Sequence, residues 1–251
     1  MTRSPNILLI DLETAPNLGL FWGCGHKVSI SPDQIIEERQ IICASWKWAG
    51  EETVHNVSWG RKKDDRRVLE QLLPVIAKAD MIVAHNGKKF DLPWINARLM
   101  FHKLPPLPKV KVLDTLRECK NTFYLNSNRL DYIAKYIGRE GKISVPYQLW
   151  KDIILHNRPK DLNSMIEYCN RDIIELEGVY NAILPYINNT FNLSSFNERP
   201  DICPKCGSSH LVKNGLSYAQ VGVKQRYKCM DCGYRPVGGK SVLVNQSSYP
   251  R

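Results

Sequence analysis

Residues 6–13 read Asn-Ile-Leu-Leu-Ile-Asp-Leu-Glu, a short apolar run that ends abruptly in two acids. Such a run predicts a buried β-strand whose end lies at a functional edge. Asp11 and Glu13 stand two residues apart on that strand end, so both side chains project to the same face. Two carboxylates held side by side repel. With no basic residue beside them, a divalent cation explains the pair, because Mg²⁺ and Mn²⁺ are hard ions that prefer carboxylate oxygens. Asp-x-Glu alone is more often a solvated loop pair, so the motif gains weight only from company.

Working outward, residues 40–48 and 52–59 are rich in β-branched and aromatic residues around Ala49-Gly50-Glu51, which predicts a hairpin and an antiparallel start to a sheet. Val68, Leu69, Leu72, Leu73 and Ile76 recur at helical spacing, and Met81–Ala84 reads as a further buried strand before His85-Asn86-Gly87. Pro93 suits a first helical turn, giving a helix over residues 92–102 with Asp91 at its mouth. Residues 110–113 read as a strand and residues 130–137 as a helix closed by Gly138. Ile166, Cys169, Ile173, Leu176, Tyr180 and Ile183 keep three-to-four spacing, a long amphipathic helix that Pro185 ends.

Two further motifs join the first. Asn86 to Asp91 follows a strand and precedes a helix, and supplies a third acid; an Asp that merely caps the helix would look the same. In Tyr168-Cys169-Asn170-Arg171-Asp172 a spacing of four puts a phenol and a carboxylate on one helical face. The order of the three pieces along the chain is what separates them from ordinary surface chemistry.

In that order the motifs resemble the DnaQ-like, RNase H-fold 3′-to-5′ exonucleases of the DEDDy subgroup, and the proofreading domain of family B DNA polymerases in particular, over residues 6–185. The histidine branch would need His five residues before the last acid, where Glu167 stands; Tyr168 occupies the place that the tyrosine branch requires. The resemblance implies an α/β fold, an RNase H-like mixed sheet flanked by helices. It also implies that Asp11, Glu13 and Asp172 hold one Mg²⁺ or Mn²⁺, that Asp11 with Asp91 holds a second, and that Tyr168 orients the attacking water. Asn86 and Phe90 match positions that contact the terminal nucleotide, although Phe90 packed beneath the sheet is an equal reading. Asp114 matches a supporting position, and Lys88-Lys89, which add two charges inside the second motif, either touch substrate backbone or are solvated.

Cys203-Pro-Lys-Cys206-Gly and Cys229-Met-Asp-Cys232-Gly are two Cys-x-x-Cys pairs with 22 residues between them. Four thiolates suit one tetrahedral structural Zn²⁺, and the glycine after each pair permits a tight knuckle. His210 is left as a bystander, and the module resembles a zinc ribbon, including a turn at Lys213-Asn214-Gly215. Lys224, Arg226 and Lys228 alternate along a strand and share one face that could hold phosphates. Tyr218, Tyr227 and Tyr234 either stack bases or supply the scarce core of so small a domain. Cys24, Cys43, Cys119 and Cys169 are scattered and read as small buried or half-buried residues.

The expected organisation is an exonuclease domain over residues 1–190, a linker over 191–200, a zinc ribbon over 201–240 and a tail over 241–251. The net charge of +10 favours a polyanionic partner, and residues 201–251 carry eight Lys/Arg against two Asp/Glu. No stretch is long and apolar enough for a bilayer, and no export signal is evident, so a cytoplasmic protein without membrane contact is expected. The function expected is two-metal hydrolysis of DNA, single-stranded DNA first, with RNA as the alternative substrate. The ribbon would grip nucleic acid or contact replication or repair proteins. An idle nuclease fold in a transposition-associated binding protein is the reading from another class; it gives no physical need to keep four acids and the tyrosine.

Overall fold

The computed structural model describes residues 5–23, 25, 29–141, 144–188, 192–196, 201–219 and 222–241. They divide into two compact units, one over residues 6–180 and one over the described residues from 181 onward together with Pro5. Cys24, the tail beyond residue 241 and residues 191 and 197–200 of the expected linker lie outside the described residues.

The larger unit is built on a five-stranded sheet. Its strands are β1 (Ile7–Thr14), β4 (Ile41–Trp48), β5 (His55–Ser58), β6 (Met81–Ala84) and β7 (Lys111–Asp114), in the order β5-β4-β1-β6-β7. β1 is the centre. It pairs antiparallel with β4 and parallel with β6, and β6 pairs parallel with β7, so the sheet is mixed as expected. Leu8, Leu9 and Ile10 of β1 and the whole of β6 are buried, because strands covered on both faces need apolar residues at every position. Between β1 and β4 the chain makes an excursion through β2 (Leu18–Gly19) and β3 (Ile35–Glu37), which pair with each other and leave Leu20, Phe21, Trp22 and Ile36 exposed.

Helices α1 (Arg66–Ile76), α2 (Asp91–Phe101), α3 (Thr115–Thr122), α4 (Leu130–Tyr136) and α5 (Gln148–His156) precede α6 (Pro159–Ile183). Sequence periodicity finds α1, α2, α4 and α6 but not α3 or α5. α3 offers no apolar stripe beyond Leu116 and Cys119, and it starts because Asp114 at the end of β7 accepts the N–H of Arg117. α6 has Pro159 at its first position, where no hydrogen bond is lost; it buries Leu162, Met165 and Cys169 in the core with the sheet residues, and Ile173 and Leu176 are buried further along it. Its register is fixed by polar latches to β4: Ser45 donates to Asn170 at 2.8 Å, Lys47 pairs with Glu177, and Gly50 N–H donates to Glu177 at 3.0 Å.

α1 is tied to α2 by a buried ion cluster. Asp65, fully buried, accepts Arg98 through two nitrogens at 2.6 and 2.9 Å, His102 at 2.6 Å and the N–H of Ile41 at 3.1 Å. Burial works against the Asp65 charge, but the bonds from Arg98, His102 and Ile41 outweigh it and hold the carboxyl below its ordinary value. A metal could in principle be gathered by Asp64, Asp65 and His102. Arg98 already occupies both Asp65 oxygens, so the cluster is a structural brace.

The smaller unit carries a three-stranded sheet, order β10-β9-β8, from β8 (Leu211–Ala219), β9 (Gly222–Cys229) and β10 (Val237–Ser241). A short helix, α7 (Leu193–Phe196), lies in what the sequence reads as linker. Lys213-Asn214-Gly215 is not a turn. It is a bulge inside β8, where the register to β9 shifts and Gly215 takes φ 72°. Among the described residues no helix is long and apolar enough to cross a membrane.

Candidate active site and metal centres

β1 places the first acids. Asp11 is opposite Ser45 and Glu13 opposite Cys43 on β4, and both are half-buried while Leu12 between them points into the core. α6, far along the chain, brings the third acid. Carboxylate oxygens of Asp11, Glu13 and Asp172 all lie within 4.8 Å of one another. Tyr168 sits one turn before Asp172, half-buried, its ring edge-on to Trp150 with centroids 6.2 Å apart. The sequence treats Cys169 as filler. It is that, fully buried, but its thiol also lies 3.5 Å from both the carbonyl and a carboxylate oxygen of Asp11, and burial pushes the thiol well above its usual range, so it stays a neutral donor beneath the acids.

Asp91 opens α2 and is 2% exposed, outside the tight group of three but close enough for Asp11 to act on its charge. Burial first, then the charge of Asp11, drive its carboxyl well above the usual carboxylate range, against the N–H groups of Asp91 and Leu12 that pull it down. Its Oδ1 is buried with no hydrogen-bond partner among the described residues. The turn that delivers Asp91 is tightly specified. Asn86 takes φ 70°, and at Gly87 a Cβ would fall 2.4 Å from that of Ala84, so only glycine fits. Asp114, paired with Ala84 across β6 and β7, accepts the N–H of Asn86 at 2.9 Å and of Lys88 at 3.2 Å. It is the clamp of this turn and the cap of α3.

Phe90 does not pack beneath the sheet. It is 36% exposed and stands edge-on to Trp94, whose ring carries the Arg39 guanidinium at 4.7 Å. Arg39 has no sequence mark that would have singled it out.

In the smaller unit the sulfurs of Cys203, Cys206, Cys229 and Cys232 also lie within 4.8 Å of one another. Cys203 and Cys232 are 3.7 Å apart and Cys206 and Cys229 3.6 Å, against about 3.8 Å for the edge of a tetrahedron with metal–sulfur bonds of about 2.3 Å. The two knuckles repeat one conformation: Gly207 donates to Cys203 at 2.9 Å and Gly233 to Cys229 at 3.0 Å, with φ of 77° and 73°. His210 turns away to Asp231 at 3.0 Å. Lys205, within the first knuckle, is 5% exposed and donates to the carbonyls of Leu184, Pro185 and Ile187 while lying 4.4 Å over Tyr234. Tyr234 thus packs within the module, whereas Tyr218 is exposed. On β9 the Arg226 side chain folds back onto the bulge, Nε donating to Asn214 at 3.0 Å, while Lys224 and Lys228 share its strand face.

A model of the RNase H superfamily matches residues 37–184, more than half of the chain, and the protein belongs to that superfamily. The match spans Asp91, Tyr168 and Asp172 and begins after β1, which carries Asp11 and Glu13. A search of curated proteins found no match. Among solved structures the chain is similar to the family B DNA polymerase from the hyperthermophilic archaeon Pyrobaculum calidifontis, with a TM-score of 0.53 and 18% identity. The likeness covers 73% of this chain and 25% of the polymerase, so it is one of fold over a quarter of that protein. Membership of the RNase H superfamily makes this a nuclease-type domain.

Proposed function

We propose that the chain is a metal-dependent 3′-to-5′ exonuclease of the tyrosine branch that releases nucleoside monophosphates from single-stranded DNA. The observation that carries the reading is the convergence of Asp11, Glu13 and Asp172 within 4.8 Å, with buried Asp91 electrostatically joined to Asp11. Asp91 Oδ1 tests the fit of a cation. A buried oxygen with no hydrogen-bond partner costs several kcal/mol, and a hard divalent ion is the partner that carboxylates suit. Asp11, Glu13 and Asp172 would hold one Mg²⁺ or Mn²⁺, and Asp11 with Asp91 a second. Such a pair of ions lowers the pKa of an attacking water and offsets charge on the leaving 3′ oxygen.

The protein's own groups do the positioning. The Tyr168 phenol, its ring braced by Trp150, orients the water by hydrogen bonding. Phe90, exposed at the head of α2 and backed by Trp94, meets the terminal base, and Asn86 its sugar or base edge. The four cysteines hold one Zn²⁺ with no open position, so that metal is structural. Lys224, Arg226 and Lys228 give the ribbon a phosphate-binding face; contact with replication or repair proteins is the alternative use of the same module. The described cysteines form no disulfide, which suits a reducing compartment and a cytoplasmic site of action.

The test is incubation of the full chain and Mg²⁺ or Mn²⁺ with 5′-labelled single-stranded DNA, duplex DNA and RNA. A ladder on single-stranded DNA that shortens from the 3′ end is expected. Cleavage of RNA alone would make the protein an exoribonuclease, and no cleavage of any strand would leave an idle nuclease fold.

A further inference from the structure

Two cavities of the larger unit meet at the Asn86 turn. One, of about 580 Å³, is lined by His85, Asn86, Lys120, Asn128 and Arg129; the other, of about 310 Å³, by Asn86, Lys88, Lys89, Arg117 and Lys120. They share Asn86, Leu116 and Lys120, and so form one groove over α3.

The groove is basic: five cations line it against two carboxylates, Asp114 and Asp131. Lys88, Lys89, Arg117, Lys120 and Arg129 are all exposed, and among the described residues none has a carboxylate within ion-pair distance. The two acids that line it are already engaged: Asp114 accepts the N–H groups of Asn86, Lys88 and Arg117, and Asp131 pairs with Lys135 at 2.9 Å. Five like charges around one concavity repel one another and lower the stability of the fold, an arrangement that a polyanion relieves. The walls are firm. His85 is tied to Thr115 at 2.9 Å and to the Asn128 carbonyl at 3.0 Å, which fixes the loop carrying Arg129 to the end of β6.

The groove also leads somewhere. Asn86 lines both cavities, and at the next residue, Gly87, a Cβ would stand 3.5 Å from an Asp91 carboxylate oxygen. We infer that this groove carries the backbone phosphates of a nucleic-acid strand on the 5′ side of the end held at the carboxylates, with Arg117, Lys120 and Arg129 as its anchoring cations. The inference rests on the nuclease reading for its direction. Its chemistry, a row of phosphates against unpaired cations, stands on the groove alone.

The test is binding of a fluorescent single-stranded oligonucleotide by the full chain carrying Asp11→Asn, over a series of salt concentrations, with and without the added changes Arg117→Gln, Lys120→Gln and Arg129→Gln. Each phosphate that a protein neutralises on a single strand adds about 0.7 to the steepness of log K against log salt. The triple change is therefore expected to reduce the slope by about 2 and the affinity near 0.1 M salt by on the order of 100-fold. The charge-keeping set Arg117→Lys, Lys120→Arg and Arg129→Lys should restore most of both, which separates removal of phosphate-neutralising charge from damage to the structure. An unchanged affinity and slope would overturn the inference, as would a loss that the charge-keeping set fails to restore. Cleavage by the chain with Asp11 intact is scored apart. Cutting with an unchanged slope would sink the groove and keep the nuclease, while a lowered slope without cutting would do the reverse.

Discussion

The two candidate metal centres solve the same problem, gathering like-charged ligands, in opposite ways. The four cysteines come from two local knuckles that share one glycine conformation, and each knuckle holds its own pair through a Gly N–H bond within the knuckle. The acids come from β1, the mouth of α2 and the middle of α6, and nothing local holds them together. Only the assembled sheet does. Latches such as Ser45–Asn170 and Lys47–Glu177 set α6 against β4, and the Asp114 clamp sets the Asn86 turn. The difference teaches where each site is vulnerable. The thiolate centre should fail through its ligands, and the acid centre through its ligands or its scaffold.

The largest effect expected from that contrast is in the ribbon. Cys203→Ser with Cys206→Ser should release about one zinc per chain, measured by metal analysis, and unfold the module, because a site of this type contributes about 10–16 kcal/mol at neutral pH. The larger unit should keep its own unfolding transition; a common transition would erase the distinction between the two centres. Next comes the scaffold. Arg98→Ala leaves Asp65 charged and buried and should cost about 3–5 kcal/mol in denaturant unfolding of the larger unit. Because the folded pKa of Asp65 is depressed, its contribution is fully present above the unfolded value of about 3.9 and is lost as pH falls through the lower folded value. The gap between variant and parent should therefore narrow in acid.

Tyr168→Phe should slow cleavage by about 10²-fold, read as kcat, with metal affinity unchanged, since the phenol acts on water. A parallel loss of metal would make Tyr168 part of the scaffold. The smallest effect concerns protons. The Asp91 carboxyl is raised, first by burial and then by Asp11, so a cation must displace its proton and calorimetric metal affinity should rise with pH across that titration. By the same sign, Asp91 weakens the metal-free fold as pH rises through its raised value, and Asp91→Asn should stabilise that form at neutral pH.

These sites were unequally legible in the sequence. The cysteines announce themselves, because a knuckle is local and its spacing is its geometry. Asp11, Glu13, Asp91, Tyr168 and Asp172 are read only through their order, and the structure brings Asp11, Glu13 and Asp172 together while leaving Asp91 just outside. Phe90 has two equal readings in the sequence; its exposure and its packing on Trp94 set aside the one that buries it beneath the sheet and leave the nucleotide contact as a proposal. Arg117, Lys120 and Arg129 carry no pattern at all, since their segments meet only after β7 pairs with β6. The Lys213-Asn214-Gly215 stretch looks like a turn because glycine with positive φ serves a bulge equally well. Lys205 counts as tail charge in the sequence, yet it is buried on backbone carbonyls. α3 escapes the periodicity because a capped helix in a half-covered place needs little apolar patterning.

The central claim is that the acids form one metal-dependent cutting site. Cleavage of a 5′-labelled single strand by the full chain with Mn²⁺, compared with the same chain carrying Asp11→Ala, tests it most directly. Loss of several kcal/mol of transition-state stabilisation corresponds to at least about 10³-fold, so the variant should yield no ladder where the parent yields one shortening from the 3′ end. Metal-dependent cleavage that persists in the variant would contradict the claim.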